Sequence, residues 1–193
     1  MATGKKSSVL DYKPLGPATW ADFEELFGSR GACGGCWCMS WRLSRADFNS
    51  GKGERNKALM RGAVIAGENP GILLYEDGQA IGWCSLGPRE TFPALERSRV
   101  WKPVDDKPVW SISCFFVRKG YRTRGVSVTL LQAAIDFARK SGAKILEGYP
   151  QELEGKKLPD VFVWTGLAAS YRKAGFEEAA RRSAAKPIMR YEL

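Results

Sequence analysis

The stretch over residues 109–141 constrains the fold more than any other. Trp110, Ile112, Cys114 and Phe116 alternate with Ser111, Ser113, Phe115 and Val117, the period-two pattern of a strand over 109–117. Over 125–141 the period changes. Val126, Leu130, Ala134, Phe137 and Ala138 fall on one helical stripe, and Gly142 supplies a C-terminal stop. Between strand and helix lies a loop carrying Arg118, Lys119, Arg122 and Arg124. The first turn of a helix presents backbone N–H groups with no intrahelical partner, and the helix dipole adds positive potential there. A glycine in the loop lets an anion approach the backbone closely. A solvated strand-to-helix connection would use similar residues, but the strand before and the striped helix after suit a pyrophosphate site.

The rest of the chain supplies a sheet for that unit. Residues 9–15 suit an edge strand ended by Pro14 and Pro17. Thr19 fits an N-cap, with Trp20, Phe23, Leu26 and Phe27 on one helical face. Four glycines in 28–35 break that helix. A second helix is predicted over about 54–66, using Leu59, Met60, Ala63 and Val64. Apolar runs at 72–75 and 80–84 flank Asp77-Gly78, a two-residue hairpin turn. Residues 87–106 read as a long polar connection with Pro88, Pro93 and Pro103. A strand at 143–149 is followed by a polar loop at 151–159. Thr165 can cap a short helix carrying Leu167 and Tyr171, ended by Gly175, and strands at 176–181 and 188–193 close the chain. This order predicts a mixed α/β sheet covered by helices.

A chain of 193 residues suits one domain, assigned to 9–193, with 1–8 as a polar leader carrying Lys5 and Lys6. With 44 % hydrophobic residues it can bury a core without disulfides or metals. No apolar run approaches the ~20 residues that span a bilayer, and no signal peptide is evident. A cytoplasmic protein without a membrane partner is therefore expected. The net charge of +9 favours anionic partners, but the basic residues are dispersed apart from the loop. A local anion site explains them better than a nucleic-acid face, so no nucleic-acid partner is expected. The five cysteines are an odd number, which predicts reduced thiols. The absence of histidine removes the usual physiological-pH base and the commonest metal ligand.

The segment from Val117 to Ser127, with Arg122, Gly125 and Ser127 in an (Arg/Gln)-x-x-Gly-x-(Gly/Ala) spacing, resembles the signature of the GCN5-related N-acetyltransferases. Ser127 departs from the small apolar residue usual at the last place. Tyr171, four residues before Gly175-Phe176, resembles the family's second signature, and the order of elements matches from about 9 to 193. The resemblance implies the acyl-CoA N-acyltransferase fold: a mixed, mainly antiparallel sheet of six to seven strands with helices on both faces. It implies acetyl-CoA as co-substrate, with no metal. Arg122, Thr123, Arg124, Gly125, Val126 and Ser127 would hold the pyrophosphate. The strands ending at Val117 and Tyr149 would splay apart, and backbone groups of Phe115, Phe116 and Val117 would bond the pantetheine arm as an added strand does. A small-molecule amine acceptor fits, and dimers are common among such proteins.

Acyl transfer by direct attack needs a neutral amine, a proton donor for the leaving thiolate, and close positioning of the reactants. Tyr171 is the donor candidate, since a phenol of pKa ~10 is protonated at neutral pH; the alternative is a tyrosine packed on its helix. Glu147, on the strand after the helix, is the base candidate, against the alternatives of an ordinary carboxylate or a water chain. A backbone N–H near Phe115 or Phe116 could stabilise the oxyanion.

Cys33-Gly34-Gly35-Cys36-Trp37-Cys38-Met39-Ser40-Trp41-Arg42 is the oddest segment. Cys-x-x-Cys-x-Cys admits a thiolate metal site, a redox pair or plain packing. The resemblance adds a fourth reading. Trp37, Met39 and Trp41 would form an apolar wall beside the acceptor, with Cys36 next to them and Arg42 pairing an acidic substrate group, and Trp83 would face the same space or the core; Tyr149 and Trp164 are weaker candidates. A silent acyl-CoA sensor and a cysteine-rich metal or redox protein are the rival functions.

Overall fold

The computed structural model describes residues 10–153, 159 and 163–193, so the leader at 1–8 and much of the loop at 151–159 lie outside the described residues. Seven strands form one sheet: β1 (Leu10–Pro14), β2 (Gly71–Glu76), β3 (Gln79–Pro88), β4 (Trp110–Val117), β5 (Ile145–Gly148), β6 (Glu177–Arg181) and β7 (Pro187–Glu192), in the order β1-β2-β3-β4-β5-β7-β6. β4 and β5 run parallel, and the other neighbours are antiparallel. β1 is the edge strand its prolines imply. Asp77, at φ 50°, and Gly78, at φ 83°, turn β2 into β3, the left-handed pair that a tight hairpin requires.

Helices cover both faces. On one side α5 (Val126–Lys140) and α6 (Ala168–Lys173) pack on Ile72, Leu74 and Ile81. Leu130, Ala134 and Ala138 are fully buried, as the stripe predicts. Gly82 permits this approach, because a methyl group there would stand 2.9 Å from Leu130 Cδ1. On the other side α1 (Trp20–Phe27) and α3 (Glu54–Ile65) pack on Leu73, Tyr75 and Trp83. The alternation along β2 sends Ile72 and Leu74 one way and Leu73 and Tyr75 the other.

Several expectations are corrected in detail. Thr19 stands at the N-cap of α1 without capping it, since its hydroxyl donates to Pro14 O at 2.9 Å. Leu59 is exposed rather than inward. A helix α2 (Arg45–Ser50), capped by Ser44, precedes α3. The connection at 87–106 holds a 3-10 turn at Arg89–Thr91 and a short helix α4 (Pro93–Glu96). Leu167, not Thr165, precedes α6, and the Thr165 hydroxyl is buried without a partner among the described residues.

The correction with most consequence lies in β4. Ser85 faces Cys114 and Leu86 faces Ile112, so Ser113 is an extra residue in the strand. A bulge of this kind reverses which face later residues meet. Trp110 and Ile112 share the α5 side with Phe115 and Val117, while Cys114 and Phe116 join the α1 side. A simple alternation from Trp110 to Val117 therefore fails at Ser113.

Candidate active site

Past the bulge β4 leaves β5. Their pairing covers Trp110↔Leu146, Ser111↔Glu147 and Ile112↔Gly148, and none follows. The splay opens a cleft of about 640 Å³. One wall is the end of β4 at Phe115, Phe116 and Val117. The floor is the loop and first turn of α5, through Arg122, Thr123, Gly125, Val126 and Ser127. Val163, Trp164, Gly166 and the face of α6 at Ser170 and Lys173 form the other wall.

The α5 turn is built to present its amides. Gly125 takes φ 80° as the residue before the helix, and the first bond inside runs from Val128 N to Gly125 O at 2.9 Å. The N–H groups of Gly125, Val126 and Ser127 precede that bond, at the positive end of a 15-residue helix. Thr123, at φ 64°, folds its hydroxyl back onto Arg122 O at 2.6 Å. The arginines divide. Arg122 lines the cleft and donates from Nε to Val117 O at 3.2 Å. Arg118 instead donates to Ala80 O and pairs with Glu25, at 3.0 and 2.9 Å. Arg124 pairs with Glu76 at 3.2 Å and lies over the Tyr121 ring, so it is not part of the lining. Tyr121 and Lys173, which the sequence reading missed, do line it. Lys173 was detectable as a basic residue in the last turn of a short helix.

Two groups expected at the reaction centre are engaged within the chain. The Phe115 N–H donates to Trp164 O at 2.7 Å, the bond an added strand would make. The Tyr171 side chain is fully buried beneath Thr165 and Gly166, and its hydroxyl donates to Thr165 O at 3.3 Å. Gly166 fits between the Tyr171 and Phe115 rings, where a methyl group would stand 2.9 Å from one and 3.3 Å from the other. Burial pushes the Tyr171 phenol well above its ordinary pKa, so it stays protonated.

Glu147 does not line the cleft. It is 1 % exposed and clamped by Arg89 Nη1 at 3.1 Å, Arg190 Nε at 2.8 Å and the Tyr149 hydroxyl at 2.7 Å. Both carboxylate oxygens are held by these partners away from the cleft, so the geometry makes Glu147 a structural anchor in place of the expected base. No carboxylate among the described residues lines the cleft.

The cysteine and tryptophan segment is divided in the same way. Trp37 and Trp83 lie in the core with Phe23 and Phe27, and are corrected from substrate contacts to packing. Trp41 packs at a tilt on Trp101 and edge-on to Tyr149 and Trp164. Arg42 is half-buried over Phe92, donates to Pro70 O at 3.1 Å, and lines neither the cleft nor the side pocket next to it. Cys36 alone of the four substrate candidates lines open space. It borders an apolar side pocket of about 190 Å³, which shares Phe115, Phe116 and Trp164 with the cleft. Trp164, underweighted in the sequence, stands at that junction. Among the described residues no group of three or more His, Cys, Asp or Glu could hold a metal ion.

The model of the acetyltransferase (GNAT) family matches residues 37–151. No curated protein matches the chain. Among solved structures, the PaiA N-acetyltransferase of Thermoplasma acidophilum, in complex with coenzyme A, superposes with a TM-score of 0.52 at 16 % identity, covering 96 % of this chain and 99 % of that one. YncA of Salmonella typhimurium, solved with its cofactor acetyl-CoA, gives 0.51 at 16 % identity, over 95 % and 94 %. A GNAT-family acetyltransferase of Listeria monocytogenes gives 0.57 at 9 % identity, over 97 % and 100 %. At these identities the likeness establishes the fold.

Proposed function

The chain belongs to the acetyltransferase (GNAT) family, and from that premise we propose that it transfers acetyl from acetyl-CoA to a primary amine of a small molecule. Direct attack takes place with both substrates bound, in one cytoplasmic catalytic domain over 9–193. The observation that carries this reading is the α5 turn, whose leading amides lie at the floor of the cleft beside Arg122. PaiA and yncA, solved with coenzyme A and acetyl-CoA, support the same occupant.

The residues fit that occupant. The amides at Gly125, Val126 and Ser127 and the Arg122 guanidinium take the pyrophosphate, and Lys173 adds positive charge on the opposite wall. The acyl arm runs along Phe115–Val117 once Trp164 O gives up the Phe115 N–H. That exchanged N–H then serves the acyl oxygen as negative charge builds on it. Shifting Thr165 and Gly166 also releases the Tyr171 hydroxyl to protonate the leaving sulfur. With no carboxylate in the described lining, the amine loses its proton to water, so kcat/KM should rise with pH through the amine's own pKa.

Thiol release from acetyl-CoA with a panel of amines tests the reading. Tyr171→Phe should lower kcat by about 100-fold with cofactor affinity unchanged. Unchanged turnover would remove Tyr171 from the mechanism. Arg122→Ala should raise the Kd for coenzyme A by about 10- to 100-fold, through loss of a charge-assisted bond of ~1.5–3 kcal/mol. A second reading, a silent acyl-CoA sensor, draws on the occupied Phe115 N–H and buried Tyr171 hydroxyl. Tight coenzyme A binding without turnover on any amine would favour it.

A further inference from the structure

The sequence suggests Cys33 and Cys36 as a redox pair, yet the thiols in contact are others. Cys38 Sγ lies 3.2 Å from Cys114 Sγ, although 76 residues separate them. The β4 bulge at Ser113 makes this contact, because it turns Cys114 toward the α1 side. Cys33, Cys36, Cys38 and Cys114 all line the apolar side pocket, which opens into the cleft. Cys33 is exposed, Cys36 is half-buried, and Cys38 and Cys114 are buried. A small solute in the cleft therefore meets the thiols in order of depth.

The backbone around them is strained. Ala32, Trp37, Cys38 and Trp41 hold φ of 61°, 35°, 49° and 67°. Non-glycine residues in such regions are disfavoured and persist where the surroundings fix them. Here Trp37 is locked among Phe23 and Phe27, and Trp83 Nε1 donates to Cys38 Sγ at 2.7 Å. Packing needs only small apolar side chains, which a relaxed loop could supply. It does not account for several thiols set from the pocket rim to its floor.

We propose that this group is an oxidant-reactive modification site, at which a hydroperoxide attacked first by Cys36 converts Cys38 and Cys114 into a disulfide. Cys36 sulfur attacks the peroxide, so an S–O bond forms, the O–O bond breaks, and an alkoxide leaves and is protonated. Cys38 sulfur then attacks Cys36 sulfur. An S–S bond forms, the S–O bond breaks, and hydroxide leaves as water with the Cys38 proton. Cys114 attacks Cys38 sulfur, forming the final S–S bond and releasing Cys36, which recovers a proton. Overall two thiols and one hydroperoxide give one disulfide, one alcohol and one water. The Cys38 thiol beside Cys36 lowers the Cys36 pKa to about 6 against the opposing effect of burial, which supplies the thiolate. Contracting the sulfur contact to the ~2.05 Å of a disulfide takes a shift of roughly 1 Å and ties the loop wall to β4.

Peptide mapping of the whole protein under non-reducing conditions, before and after hydrogen peroxide, tests this. The expected product is a Cys38–Cys114 cross-link, with loss of two of five titratable thiols and recovery by dithiothreitol. Cys36→Ser, at a half-buried position, should slow the cross-link by about tenfold or more. Oxidation confined to Cys33, or over-oxidation of Cys36 with Cys38 and Cys114 still reduced, would overturn the proposal in the wild-type protein alone. An unchanged rate in folded Cys36→Ser would remove Cys36 as the entry point and overturn it equally.

Discussion

Single residues set the site where backbone geometry leaves no substitute. Gly148 lets the Tyr171 ring lie directly on β5, and a methyl group there would overlap Tyr171 Cε1. Gly148→Ala should therefore destabilise the protein by about 1–3 kcal/mol, read as a lower denaturation midpoint. A midpoint equal to wild type would show that Tyr171 can move freely. Cys36 differs from Cys33, Cys38 and Cys84 in the sign of its shift. Its pKa falls to about 6 while burial pushes the Cys84 thiol well up. The groups around it are Cys33, Cys38 and Cys114, and the charges of Lys52 and Arg122 act on Cys33. A lowered pKa means thiolate above it, so iodoacetamide labelling of Cys36 should rise through about pH 6 and level off by neutrality. Labelling that begins to rise only near the ordinary thiol value of about 8.5 would contradict that placement.

Elements carry the second tier of organisation. β5 is short, and its Glu147 joins two distant segments by charge, Arg89 after β3 and Arg190 on β7, while accepting a bond from the neighbouring Tyr149 hydroxyl. Arg89 adds bonds to Glu96 at 2.8 Å and to Trp101 O at 2.7 Å. Removing one partner of a buried pair leaves the other charge uncompensated, at a cost of about 3–5 kcal/mol. Arg89→Met should therefore lower stability by that order in chemical denaturation. A loss below about 1 kcal/mol would show that Arg190 alone satisfies Glu147. The short β5 also has a consequence for binding. Because its pairing with β4 stops at Ile112, the backbone of Phe115 meets the loop at Trp164 instead of a strand. Loop bonds exchange more readily than strand ladders, which is the condition for an incoming arm to take their place.

At the scale of the molecule, the sheet divides two apolar layers, and the cleft opens at one end where two parallel strands part. No helix among the described residues is long and apolar enough to cross a membrane. A ligand that binds the folded cleft alone stabilises the whole chain. Coenzyme A at 100 times its Kd should add about 2.7 kcal/mol, raising Tm by several degrees. No shift at millimolar coenzyme A would sink the proposed function while leaving the thiol proposal untouched. The sequence by itself determined the strands, the principal helices and the glycine turn that opens α5, because periods of two and 3.6 and a glycine before a helix are local signals. Of the nine positions on β4 and the following loop and helix turn that it marked for the cofactor, eight line the cleft, Arg124 excepted. Only the tertiary structure decided the rest. The extra residue at Ser113, the clamp on Glu147, the meeting of Cys38 with Cys114, and the Trp164 carbonyl on Phe115 all join segments far apart in sequence. Local periodicity holds no information about those partners, since each exists only when the sheet has brought its neighbours together.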